Sequence, residues 1–128
     1  MSSIGFHAHK FVIFDFVPES ELQTGRSIEE NLNDFINSEN NDLSCERYNC
    51  ETEEDFFLVI DRIKNELIQN GLISYVHIEG HGSKDALYLP DGQSISWSVV
   101  FQAFREINIL SKNNLFFSSG ACESAYAY

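Results

Sequence analysis

The sequence predicts an α/β fold: a mostly parallel sheet with helices on both faces, in three layers, with a β-hairpin inserted late in the chain. Three observations carry this. Short apolar runs alternate with stretches whose apolar residues recur at helical spacing. The runs are far enough apart for the crossover connections that parallel strands need. The first run, at 10–17, is apolar on both faces rather than alternating, which suits a strand covered by helices on each side.

The elements follow in order. Residues 10–17 form the first strand, with His7 and His9 before it at the surface. Ser27 with Glu30 three residues on reads as a capping box opening a helix, with Ile28, Leu32, Phe35 and Ile36 as its apolar stripe. Residues 38–52 are polar and acidic and hold a loop with a short strand near Cys45 and Cys50. Thr52, followed by Glu53, Glu54 and Asp55, caps a second helix whose buried face is Phe56, Ile60, Ile63 and Leu67; Gly71 ends it. Residues 72–78 are the next strand. Asp91-Gly92 tolerates the positive backbone angles of a tight turn, so 86–97 reads as a hairpin. Trp97, Val100, Phe101, Phe104 and Ile107 make a third helical stripe, and 114–118 is the last strand. Most of the phenylalanines, including Phe11, Phe14, Phe16, Phe56, Phe57, Phe116 and Phe117, are assigned to the core.

Length and charge restrict the function. The chain has 128 residues, room for one domain with its own core, and 20 acids against 8 Lys and Arg give a formal charge of -12. That balance argues against a nucleic-acid binder, whose affinity comes from clustered cations. No apolar stretch is long enough for a membrane span. The N-terminus lacks a secretory pattern and the cysteine count, three, is odd, so a cytoplasmic protein without a disulfide framework is expected.

In open parallel sheets chemistry gathers beyond the carboxyl ends of the strands. Those places read Glu79-Gly-His81-Gly82-Ser83 and Ser119-Gly-Ala121-Cys122-Glu123. Strands that pair lie about 4.8 Å apart, so neighbouring strand ends can bring an imidazole to a thiol. A Cys nucleophile needs a base, and His supplies one near neutral pH. The backbone N–H groups of Gly82 and Cys122 are candidate oxyanion donors. Asp15, at the end of the first strand, and Asp85 are candidate acids for orienting His81 or receiving a substrate side chain. A zinc site from Cys45, Cys50, His77 and His81 has suitable ligand types, but its spacing matches no common finger, and no metal is assigned. His77 is read as a packed strand residue.

Val76-His-Ile-Glu-Gly-His-Gly82 and Leu115-Phe-Phe-Ser-Ser-Gly-Ala-Cys122 resemble the paired strand-His-Gly and strand-Ala-Cys signatures of caspase-like cysteine peptidases. The likeness is closest to the bacterial CHAT branch, in which a hairpin and a helix separate the two motifs. It spans 11–126 and is most distinctive from Val76 onward. The resemblance implies His81 as general base, Cys122 as nucleophile, and Gly82 and Cys122 as the oxyanion hole of a regulated endopeptidase working through a thioester. It implies neither metal nor organic cofactor. The implied partners are a protein or peptide substrate and a regulatory protein or further C-terminal segment.

Two departures bear on that. Gly120, Glu123 and Ser124 differ from the caspase Gln-Ala-Cys signature, and His81 lies closer to the Cys than its roughly fifty-residue spacing. Only residues 123–128 follow Cys122, so a single domain lacking the C-terminal part of such a fold is expected. A partial or inactive module that binds a partner through its sheet edge is the competing expectation.

Overall fold

The most apolar run of the chain occupies the middle of the sheet. In the computed structural model, which describes residues 7–39 and 43–120, this run is β1, His7–Asp15, and Val12, Ile13, Phe14 and Phe16 are at most 1% exposed. β1 begins three residues earlier than the apolar pattern, so His7 and His9 fall within its backbone. It lies between β2 (Ser44–Asn49) and β3 (Leu72–Glu79), and β7 (Phe116–Ser119) completes the order β2-β1-β3-β7. All three pairings are parallel.

Parallel strands require crossovers, and three helices supply them: α1 (Thr24–Glu39), α2 (Glu53–Asn70) and α3 (Trp97–Leu110). The path from β1 to β2 runs one way across the sheet, and the paths to β3 and β7 run the other way. Right-handed crossovers therefore put α1 on one face and α2 with α3 on the opposite face. Strand alternation divides the side chains accordingly. Phe14 meets Phe56 and Phe104 at ring-centroid distances of 5.5 Å each, under α2 and α3. Phe11 and Ile13 look toward Leu32 of α1.

The two faces are not equally covered. Beneath α2 and α3 a continuous core runs from Val12 and Phe14 to Trp97, Val100 and Ile107. On the other face α1 packs against β1 and β2, and among the described residues no helix packs closely over the β3–β7 half. The Tyr75 ring meets Phe116 there in a tilted pair at 4.9 Å, and Phe116 is 56% exposed. Phe116 is thus not a core residue, nor is Phe35 of α1, which is 55% exposed. Each has an apolar pattern on its own element but no element opposite it among the described residues.

The helix ends show which local signals decided. Thr52 and Asp55 form the full reciprocal capping box of α2, and Gly71 closes the helix at φ 67°, donating to the carbonyls of Glu66 and Leu67. Ser27 and Glu30 do not open α1. The helix starts at Thr24, and Ser27, inside it, turns its hydroxyl back to the Gln23 carbonyl. The hairpin forms as expected from β5 (Ala86–Tyr88) and β6 (Ser94–Ser96), with Gly92 at φ 90°. It also recruits β4 (His81–Gly82), so the segment after β3 becomes the outer strand of a small antiparallel sheet. No helix among the described residues is long and apolar enough to cross a membrane.

Candidate functional site

The pairing of β3 with β7 is the fact that builds the site. Ile78 stands opposite Ser119, so the strands that precede His81 and Cys122 in sequence are direct neighbours, and the Gly120 N–H continues the ladder to the Ile78 carbonyl at 2.8 Å. Beyond their ends lies a cavity of about 260 Å³ lined by Val17, Glu21, Leu22, Thr24, Glu79, Gly80, His81 and Gly120. Cys122 lies outside the described residues, two positions past Gly120 in the wall of this cavity.

Close approach favours glycine at Gly80, and at Gly120 for as long as the Glu79 side chain keeps its place. A Cβ on Gly80 would sit 2.9 Å from the Cβ of Phe16, and one on Gly120 would overlap the Glu79 carboxylate. The loop after β3 is then fixed by polar contacts. Trp97, buried at the start of α3, donates its indole N–H to the Ser83 carbonyl at 2.7 Å, and the Ser83 hydroxyl accepts from the N–H groups of Asp85 and Ala86. The hairpin and α3 thereby hold His81–Gly82 against β5, with Gly82 opposite Leu87.

His81 presents its ring to the cavity mouth, and its side chain is 54% exposed. Its Nε2 is hydrogen-bonded to the Glu21 carboxylate, brought over by the loop between β1 and α1. This bond leaves Nδ1 as the ring nitrogen available for proton transfer. Glu21 carried no motif; only the fold of its loop reveals it as the acid beside His81.

The acids nominated from sequence have other partners. Asp15 is 2% exposed; it accepts from the Val17 N–H at 2.9 Å and pairs with Arg47 at 3.0 Å. Arg47 in turn reaches Glu29 at 3.0 Å, so Asp15 ties β1, β2 and α1 together instead of meeting His81. Asp85 is exposed and works through its backbone, its carbonyl accepting from the Trp97 N–H at 3.1 Å. Cys45 stands opposite Phe11 on β2, and Cys50 is buried with its thiol toward the Tyr48 carbonyl. β1 separates both from β3, so they and the two histidines form no common cluster. Burial pushes the Cys45 thiol up to about 11 and the Cys50 thiol up to about 12.

One constellation is new. His77 is not packed into the core but bonded at both ring nitrogens: Nδ1 to the Ser118 hydroxyl at 2.7 Å and Nε2 to Glu79 Oε1 at 2.6 Å. The Thr24 hydroxyl donates to Glu79 Oε2 at 2.8 Å. The alternation of His77 and Glu79 on one strand face was visible in sequence, whereas Ser118 enters only through the β3–β7 register, which sets it opposite His77. The chain matches no protein-family model and no curated protein.

Proposed function

We propose that this chain carries a cysteine-dependent peptide-bond hydrolysis site of the caspase-like CHAT type, with Cys122 as nucleophile and His81 as base. The observation that supports it best is the direct pairing of β3 and β7, by which His81 and Gly120 line one cavity. In this reading Cys122 gives its proton to His81 Nδ1 while Glu21 holds Nε2 and balances the imidazolium. The thiolate attacks the substrate carbonyl carbon. The N–H groups of Gly82 and Cys122 receive the oxyanion. Collapse of the adduct breaks the C–N bond, His81 returns the proton to the leaving amine, and water then hydrolyses the thioester. The substrate is a protein or peptide, and the compartment is a reducing cytoplasm, in keeping with a thiol nucleophile.

The position of β7 favours a second reading. It is the outermost strand of the described sheet and carries the exposed Phe116, as a module that binds a partner strand would. The two readings differ in the reactivity of Cys122. Iodoacetamide labelling from pH 5 to 9, read by peptide mass spectrometry, is expected to modify Cys122 below pH 7, well ahead of Cys45 and Cys50. Their high thiol pKa values make them slow internal references. The excess is expected to vanish in His81→Ala. Labelling of Cys122 no faster than the references, and unchanged by the variant, would refute the peptidase and favour the binding module.

A further inference from the structure

The His77 constellation is a second candidate site: it shares Thr24 and Glu79 with the wall of the His81 cavity, but His77 and Ser118 line a different cavity. Its parts stand in the order of a nucleophile, a base and an orienting acid. The Ser118 hydroxyl lies 2.7 Å from His77 Nδ1, His77 Nε2 lies 2.6 Å from Glu79 Oε1, and Thr24 at the start of α1 fixes the other carboxylate oxygen. The chemistry of the two partners assigns the tautomer of a neutral His77 ring. A carboxylate only accepts, so Nε2 carries the hydrogen it donates to Glu79, and the Nδ1 lone pair is left to accept from the Ser118 hydroxyl. This is the tautomer a general base needs. The same bond to Glu79 then stabilises the imidazolium that forms when the serine proton moves.

The line also opens onto a binding volume. His77 and Ser118 form part of the wall of an apolar cavity of about 170 Å³, completed by Phe11, Leu32, Tyr75 and Phe116. An apolar pocket with a few convergent polar groups at its rim is the usual form of a small-molecule site. Ser118 is exposed and Glu79 mostly buried, so the nucleophile is reachable while its orienting acid is held.

We propose that Ser118, His77 and Glu79 form a serine acyl-transfer site that accepts short apolar acyl esters in the cavity between α1 and the β3–β7 half of the sheet. In the first step the Ser118 Oγ–acyl carbon bond forms and the ester C–O bond breaks. The serine proton passes to His77 Nδ1 and from there to the departing alkoxide. Water, deprotonated by His77, then cleaves the acyl-serine to release the acid and restore the hydroxyl.

The test uses the full chain and two phosphonofluoridate probes, one with a butyl and one with a methyl chain, with adducts mapped by peptide mass spectrometry. Ser118 is expected to be the labelled serine, ahead of the exposed Ser38. Cys122→Ala should label equally well, which separates this site from the cysteine site. Glu79→Gln and His77→Gln, both close in size to the native side chains, should slow labelling, the latter by about a hundredfold, as loss of a general base does. The butyl probe should react about tenfold faster than the methyl probe, because its extra methylenes enter the apolar cavity. Labelling of Ser118 no faster than Ser38, or a rate unchanged by His77→Gln, would overturn the triad. Equal rates for the two probes would overturn the cavity as its acyl pocket.

Discussion

Asp15 shows how a single residue changes meaning once its neighbours are known. As a carboxylate at the end of a buried strand it is a reasonable candidate for chemistry, yet its oxygens are taken by Arg47 and by the Val17 N–H. Removing the carboxylate takes one charged hydrogen-bond partner from Arg47, which keeps Glu29, at about 2 kcal/mol. Asp15→Ala is accordingly expected to lower the unfolding free energy by about that amount, measured by urea denaturation, while leaving the pH profile of Cys122 alkylation in place. A stable variant with a shifted alkylation profile would instead return Asp15 to the active site. The residues that do meet histidines, Glu21 and Glu79, come from a loop and from the same strand face. Glu21 lies far from His81 in sequence, and nothing local announces the pair.

At the scale of the element, local signals succeeded where the element could satisfy its own ends. The Thr52–Asp55 box and the left-handed Gly71 are complete within α2 and its flanks, and both were legible in sequence. Thr52→Ala is expected to cost about 1 kcal/mol through the lost cap. Gly71→Ala should cost a similar amount, about 1 kcal/mol, because an L side chain resists the positive φ. Thermal melts of the two single variants and the double variant should give nearly additive losses, since the two sites lie at opposite ends of the helix. Full recovery of stability in Gly71→Ala would contradict the left-handed cap. α1 followed the opposite course. Its Ser27–Glu30 pair has capping chemistry, but Thr24 bonds to Glu79 of β3, and this long-range contact joins the earlier turn to the helix. The helix start thus carries both a local bond, Ser27 N–H to the Gln23 carbonyl at 3.2 Å, and a tertiary one.

For the whole molecule, charge is the term that conditions should move. The chain carries a formal charge of -12, and self-repulsion of that kind weakens as salt screens it. The melting temperature is therefore expected to rise between about 0.02 M and 0.5 M sodium chloride, and a fall would mean that attractive pairs dominate instead. Within this field, Lys10 is a buried cation, 3% exposed, bonded to Glu46 and to Glu66 at 3.1 Å. Burial alone would lower the Lys10 pKa, but the hydrogen bonds to Glu46 and Glu66 outweigh it and raise it above the ordinary 10.5. Burial opposes ionisation of Glu46 as well, yet bonds from Lys10 and Tyr48 hold its carboxyl below the ordinary 4.5. A depressed carboxyl contributes stability above its unfolded value of 4.5, lost as pH falls through the lower folded value; a raised lysine contributes below 10.5, lost as pH rises through its higher folded value. Stability should hold between these limits and fall outside them. Lys10→Met should flatten the acid limb, as read from melting temperature against pH.

What the sequence determined by itself was the α/β class, the succession along the chain of the main strands and helices other than β4, the caps of α2, the hairpin turn and the two strand-end motifs. Each of these depends on residues within a turn or two of one another, where spacing and backbone preference act directly. Tertiary structure alone decided the strand order and register. That decision set Ser118 opposite His77 and brought Glu79 against Gly120. It also carried Glu21 to His81 and left Phe116 exposed. Register follows from how apolar faces are shared among several elements at once, so the pairs it creates leave no mark in any single stretch of sequence.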